Sequence, residues 1–399
     1  MNAVGFAWRS LRRQPARATL GVLGVAAVGA LLLDMLLLSH GLVVSMRDLF
    51  NRSGWDIRVT AGELPGRGMR LGNALSTAER IAALPSVRAA LIVRLADARI
   101  ERGTGRPIDA AFQGIRGFSR GGTPITPPWT ITGGRESTGT DEVVIDSAIA
   151  AAANLKVGSS ITLRASCVGD REALPPARLQ VVGIADFPFA GSDEGAMGGS
   201  LDALKAACGG NLGDEADLVL VTSVGDANDT AAAIRAALPN IRPMTNDEVV
   251  GRLQETGLSY FRQISTVLTT VTVSFAVLLI TVLLTVSVNQ RLGEIAALRA
   301  LGFSRTRVVA DVLSESALIV GAGGILSLPL GLLLSSGLDR ILKDIPGIPV
   351  DLHFFVFDSR ALAFHIGLLV ATAVIAALYP MRIVSNLPIA ATLRDEVIG

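Results

Sequence analysis

The sequence predicts an α-helical membrane protein with four transmembrane helices plus a large α+β extracytoplasmic domain inserted between helices 1 and 2. Three observations predict it. Half of the 399 residues are hydrophobic and only 18% are charged, with a mean hydropathy of +0.50; in so long a chain that balance points to a membrane protein. Four apolar runs reach the roughly 20 residues that a helix needs to cross a bilayer. Between the first two runs lie 218 residues, Ser45 to Arg262, with 23 basic and 25 acidic side chains, an ordinary soluble-domain balance.

The first run is Leu20–Leu38, broken only by Asp34, within a span assigned to 18–44. Residues 1–17 precede it with Arg9, Arg12, Arg13 and Arg17, and Trp8 among them suits either an interfacial amphipathic helix or the basic anchor of a span. A cleaved signal peptide is the competing reading. The run is longer than the 7–15 residues of an h-region and no clean small-x-small site follows, so an uncleaved anchor is preferred. The second run, Ile264–Val288 in span 263–288, is uncharged and rich in Ser and Thr; the third, Ala317–Leu338 in span 312–338, holds Pro329 and several glycines; the fourth is Ala361–Met381, span 361–381, with His365. Small residues at close spacing, Gly321, Gly323, Gly324 and Gly331, then Ala373, Ala376 and Ala377, suit close helix packing within the chain, with a subunit interface as the alternative.

Orientation follows from the loops, because short basic loops stay cytoplasmic. Segment 289–311 carries Arg291, Arg299, Arg305 and Arg307 against Glu294 and Asp311, whereas 339–360 is acidic on balance. Both termini, including the tail 382–399, and segment 289–311 are therefore expected inside, and 45–262 and 339–360 outside the plasma (inner) membrane.

Within 45–262 the pattern alternates strands and short helices, which reads as α+β with two subdomains. Strands are expected at Asp56–Thr60, Ala89–Ile100, Ile108–Arg116, Glu142–Ile145, Ser160–Ala165, Leu179–Ala185 and Ala216–Thr222, and helices after Asp146 and over Leu201–Ala207 and Asp229–Leu238. Gly117–Gly139 reads as a loop, and Ser76-Thr-Ala-Glu79 as a capping box opening a helix that stops at Pro85. A second capping box, Thr245-Asn-Asp-Glu248, opens a stalk at about 245–262. One helix from Asn246 to Val288 is expected there, about 65 Å long at 1.5 Å per residue, with Gly251 and Gly257 as possible breaks.

Several chemistries are missing. The three lysines, Lys156, Lys205 and Lys343, each follow a leucine, so none ends a phosphate-binding Gly-Lys-Ser/Thr loop. The three histidines are too scattered for a zinc helix, no Gly-x-Ser-x-Gly elbow occurs, and a net charge of +1 offers no field for nucleic acid. A membrane enzyme is thus the weakest reading. Asp34 is an intramembrane candidate for a proton relay or a cationic contact; the blander alternative has it pairing across a helix interface or reaching the headgroups. Cys167 and Cys208 both lie outside, where a disulfide can form, although two unpaired thiols are the preferred reading without geometry.

The segment "NQRLGEIAALRALGFSRTRVV", Asn289–Val309, resembles the cytoplasmic loop of MacB/FtsX-type ABC-transporter permeases, through Glu294, Ile295, Leu298, Arg299, Ala300, Leu301 and Gly302. "AWRSLRRQPARATLGVLGVA" is similar to the family's entry to span one, "VVIDSAIAAAANLKVGSSITL" with "LQVVGIADF" to a unit of its outer domain, and "YPMRIVSNLPIAATLRDE" to its tail, departing where Leu387 separates Asn386 from Pro388. The resemblance implies a coupling helix seated on a separate ABC ATPase dimer, with Arg291 joining the residues above. It also implies a second permease copy or paralogue, and leaves open a membrane-fusion adaptor or lipoprotein carrier. Membrane lipids are expected partners and nucleic acid is not. No cofactor is expected on this chain; ATP and Mg belong to the partner ATPase. Leu292, Ile295, Ala296 and Arg299 share one helical face that can dock a groove; a solvated connecting helix is the bland alternative. Gly302 reads as the helix stop and Ser304 as the next cap. The family's mode is mechanotransmission: export or extraction of an amphipathic, lipid-like or peptide substrate at the outer face. The alternative is an FtsX-like regulator that activates a cell-wall hydrolase, a class whose outer domain is generally smaller.

Overall fold

The computed structural model describes residues 9, 12, 15–62, 69–101, 106–122, 124–167, 176–190, 195–210, 212–256, 259–290, 292–302, 304–343, 353, 355 and 359–385. These fall into two compact units, with boundaries at Leu42/Val43, Leu258/Ser259, Arg340/Ile341 and Leu352/His353.

In chain order the elements are α1 (Pro15–Arg52), β1 (Ile57–Thr60), β2 (Leu71–Gly72), α2 (Ala74–Ala82), β3 (Val87–Glu101), β4 (Ile108–Ser119), β5 (Thr130–Gly134), β6 (Glu142–Asp146), α3 (Ser147–Ala153), β7 (Ser160–Ser166), β8 (Ala177–Asp186), β9 (Gly195–Ser200), α4 (Leu201–Ala207), β10 (Glu215–Ala216), β11 (Leu218–Ser223), α5 (Ala227–Ala237), β12 (Arg242–Thr245) and α6 (Asn246–Thr256). Helices α7 (Ser259–Asn289), α8 (Leu292–Ala300), α9 (Arg305–Lys343) and α10 (Ser359–Ser385) follow.

Among the described residues, four helices are long and apolar enough to cross a membrane: Ala18–Arg52, Gln263–Val286, Leu313–Leu342 and Ser359–Ile383. Missing side chains allow close approach in this bundle. A Cβ at Gly323 would lie 2.6 Å from Val25, and one at Gly331 would lie 3.0 Å from Leu33, so α9 meets α1 through its glycines. Ala376 and Ala377 of α10 are fully buried beside Ile280 and Leu284 of α7, where Thr281 Oγ1 donates to Ala376 O at 3.2 Å. Gly321 is different: a Cβ there would meet nothing within 4 Å.

Between α1 and α7 lies the α+β unit. Its ten-stranded sheet contains a closed circuit. Strand β3 pairs with β4, β4 with β9, β9 with β6, β6 with β8, β8 with β7, and β7 returns to β3. Alternate residues along these strands point to one side, and they make a core that includes Phe112, Ile145, Leu163, Val181 and Met197. One edge of the long strand β3 is divided: Val87–Val93 pairs with β11 and Asp97–Glu101 with β7. Beyond β11 come β1 and then β12; apolar side chains of β11 and β1 form a second core with α2 and α5 around Ile57, Val219, Ile81 and Ile234.

Most expected elements are present, and the departures have physical causes. Gly117–Gly139 is not a plain loop, since β5 pairs with β8 inside it. Strand β9, "GAMGGS", carries no β-former signal because its glycines serve packing: a Cβ on Gly198 would lie 2.5 Å from the Trp129 ring. The expected capping box at Ser76 does not form. Helix α2 starts three residues earlier from Asn73, in left-handed conformation and with no side-chain cap, while Ser76 Oγ donates to Asn73 O. The box at Thr245 does form reciprocally, Thr245 N reaching Glu248 Oε2 at 3.2 Å and Glu248 N reaching Thr245 Oγ1 at 3.3 Å. The helix expected from Asn246 to Val288 is described on both sides as α6 and α7, and its continuity through residues 257–258 lies outside the described residues.

Candidate functional site

The segment joining α7 to α9 begins where Gln290 N still donates to Val286 O at 3.1 Å. Helix α8 follows, and Leu301 N closes on Ala297 O at 3.0 Å. Gly302 then adopts φ +92° and donates to Arg299 O, a left-handed C-terminal stop that favours glycine. Ser304 opens α9 by accepting from Arg307 N at 3.1 Å, and its Oγ pairs with Thr306 Oγ1.

The orientation of α8 differs from the expected docking face. Ile295 and Ala296 are buried, and Ile295 with Leu292 packs against Val288 of α7, Val309 of α9 and Ile383 of α10. Three helix ends offer these residues an apolar seat within the chain, so that side is not available to a partner. Ala297, Ala300 and Leu301 face outward, and Leu301 is 78% exposed. Arg299 is half-buried and already engaged. Arg291 and the side chains of Glu294 and Leu298 lie outside the described residues, as does the C-terminal tail.

A second constellation sits at the root of the α+β unit, where the end of α1 meets the start of α6. Asn246 Nδ2 donates to Asn51 Oδ1 and to Trp55 O, both at 3.0 Å, and Asn246 Oδ1 accepts from Arg58 Nη1. The Arg58 guanidinium lies 4.0 Å from the centre of the Phe50 ring, a cation–π contact. Burial pushes Arg58 down to about 10, so it stays charged at neutral pH. Phe50, Met244, Val249 and Val250 form an apolar cluster around the joint, and Arg47 pairs with Asp247 at 2.7 Å. Sequence reading recognised Asn246 only as part of a capping box; its partners, as distant as Asn51, gave no local signal.

Cys167 and Cys208 are bonded, with Cα atoms 5.8 Å apart, which corrects the preference for unpaired thiols. The bridge ties the end of β7 to the end of α4 beside the divided edge of β3. There Arg94 Nη1 pairs with Asp217 Oδ2 at 3.0 Å with both side chains buried, Arg94 Nη2 donates to Cys167 O at 3.4 Å, and Asp217 Oδ2 also accepts from Leu95 N.

In the helical unit Asp34 is fully buried, and neither carboxylate oxygen has a hydrogen-bond partner among the described residues. It neither pairs across the described bundle nor reaches outward, contrary to the blander expectation. His365 is also buried, and its Nε2 lies 3.2 Å from Ser327 Oγ. Among the described residues no three His, Cys, Asp or Glu side chains group to hold a metal ion.

These features define a multi-span membrane protein whose first and second spans are joined through a partly closed, disulfide-bridged α+β domain. A family model described as the MacB-like periplasmic core domain matches residues 18–257, and one described as the FtsX-like permease C-terminal matches residues 266–389. The first alone covers more than half of the chain, and the chain belongs to the MacB/FtsX-type permeases. The inserted domain is accordingly its outer-side domain. Among solved structures, the periplasmic region of MacB from Actinobacillus actinomycetemcomitans is 13% identical, with a TM-score of 0.36 over 52% of this chain and 97% of that one. The extracellular domain of the noncanonic ABC-type transporter YknZ from Gram-positive bacteria is 13% identical, with a TM-score of 0.33 over 47% and 98%. No curated protein matches the chain.

Proposed function

We propose that the chain is the permease subunit of an ATP-driven transporter of the mechanotransmission type. It exports or extracts an amphipathic, lipid-like or peptide substrate at the outer face of the inner membrane. ATP and Mg are held by a separate dimeric ATPase, two permease chains act together, and both termini lie in the cytoplasm. The observation that carries this reading is the joint around Asn246. Asn51 belongs to the same helix as the first apolar span, Pro15–Arg52, and its side chain is bonded to the residue that opens α6. A displacement of the first span is thereby delivered to β1, through Trp55 and Arg58, and to α6 together.

At the other end of the lever, α8 is held by the ends of three spans. Its exposed surface, Ala297, Ala300 and Leu301, is the contact for the ATPase, and its buried surface passes movement to α7, α9 and α10. Arg299 and Glu294 belong to the same helix, and we assign them to the same contact. The test is co-purification with an ATPase encoded beside this chain. The reading expects a stable complex whose ATP hydrolysis changes when an amphipathic substrate is added. An ATPase that fails to bind, or a complex whose only outer partner is a cell-wall hydrolase that it activates, contradicts it.

A further inference from the structure

The joint around Asn246 touches the sheet at β1. From β1 the ladder enters the closed strand circuit through β11 at β3, and β9 lies two strands further, past β4. A shorter way into the circuit starts at the end of α1. Phe50 is buried there beneath the Arg58 guanidinium. Its ring centre lies 5.5 Å from that of Phe189, with the ring planes inclined by 33°. Aromatic pairs prefer such offset, tilted arrangements.

Phe189 belongs to the segment that joins β8 to β9, both members of the circuit. Ala190 N donates to Phe187 O at 2.9 Å, closing the turn Phe187-Pro188-Phe189-Ala190. Proline at the second position of such a turn fixes the φ that the turn requires. The two rings of the turn go to different places. Phe187 is buried with its centre 5.2 Å from that of Trp129, and Trp129 crowds Gly198 of β9. Phe189 points to Phe50 and stays 38% exposed.

We propose that Phe189 is a positioning residue of the transmission, the contact through which the end of α1 sets the closed strand circuit. The assignment rests on the reading of the chain as a mechanotransmission permease, and it adds an output separate from Asn246. A displacement of Phe50 reaches Phe189, and the proline-fixed turn passes it to Phe187, Trp129 and β9. The two outputs differ in kind. Separating Asn246 from its partners would leave buried hydrogen-bonding groups unpaired, which is costly. The Phe50–Phe189 contact is apolar and partly open to water, so it shifts and re-forms at little cost. Asn246 therefore holds while Phe189 slides. The competing route is the sheet itself, because β3 pairs with β11 at one end and with β7 at the other.

The test is hydrogen–deuterium exchange of the full chain in complex with the ATPase that co-purifies with it, without nucleotide and trapped with ATP and vanadate. In the parent, trapping should change uptake several-fold both in peptides covering Trp55–Thr60 and in peptides containing β9. Phe189→Ala should keep the change at Trp55–Thr60 and lose the one at β9, whereas Phe189→Tyr, which retains the ring, should keep both. A merely structural role would shift uptake alike in both nucleotide states and leave the difference between them intact. A β9 difference that survives Phe189→Ala shows that the sheet carries the movement and overturns the proposal, with the permease reading intact. So does a parent that responds at Trp55–Thr60 but not at β9, or a Phe189→Ala chain that loses both changes together. A parent that responds at neither place overturns the permease reading itself, and the assignment of Phe189 with it.

Discussion

Replacing Cys167 and Cys208 together by alanine removes a cross-link that closes a 41-residue separation in sequence. In the chain-entropy account a loop of that length stabilises by about 4 kcal/mol at 25 °C, because the unfolded chain loses freedom that the folded chain has already given up. Two local effects add to the loss. Both cysteines are buried in the core of the closed strand circuit, and the Cys167 carbonyl accepts from Arg94, which is paired with Asp217. For a domain of this size each kcal/mol lowers the midpoint by roughly 2–4 °C, so a downward shift of about 8–16 °C is expected. Thermal unfolding of the detergent-purified chain, followed by the fluorescence of Trp55 and Trp129, reads it, and urea unfolding gives the free energy, since both rings are buried in the outer-side domain. Oxidised parent, reduced parent and double variant are compared, so that the cross-link is separated from the lost sulfur packing. A reduced parent within about 1 kcal/mol of the oxidised one would refute the reasoning.

Three further outcomes follow from the same geometry. Glu142 is held down to about 2 by the Arg135 guanidinium and by the backbone N–H groups of Thr138 and Gly139. A depressed carboxylate contributes stability above its unfolded value of 4.5 that is lost as pH falls from there towards 2; acid unfolding of Glu142→Gln should be less steep in that window, and an unchanged profile removes the assigned role. Asp34→Leu exchanges a buried carboxyl for an apolar side chain and should stabilise the helical unit by about 2–3 kcal/mol, measured by denaturation in mixed micelles; a loss of stability would mean that the assembled protein supplies a partner. Gly198→Ala forces a Cβ to 2.5 Å from Trp129 and should cost about 1–3 kcal/mol; Trp129→Leu in the same background should recover part of it, and strict additivity of the two would contradict the contact.

The spans were legible because 20 uncharged residues have few other uses, and most strands because their apolar residues recur at every second position. What stayed hidden depended on partners remote in sequence. Half of strand β9 is glycine because neighbours crowd it, Ile149 at Gly195, Trp129 at Gly198 and Phe112 at Gly199, so the residues that let it pack are those that erase its signal. The pairing of Cys167 with Cys208 needed the distance between β7 and α4. On α8 the apolar periodicity marked Leu292, Ile295 and Ala296 correctly as one face, yet periodicity says only that a face is buried, not what buries it. The ends of α7, α9 and α10 took that face. The joint at Asn246 was the least legible feature, since an asparagine in a Thr-x-x-Glu box has a sufficient local explanation.

The central claim is that force enters at α8 and reaches the outer-side domain through the joint at Asn246. The most direct measurement is the ATPase rate of the reconstituted complex, with and without an amphipathic substrate, for the parent, Leu301→Asp and Asn246→Ala. The account predicts that Leu301→Asp weakens assembly with the ATPase, while Asn246→Ala assembles normally and hydrolyses ATP at the basal rate but no longer responds to substrate. An Asn246→Ala complex that responds as fully as the parent would contradict it.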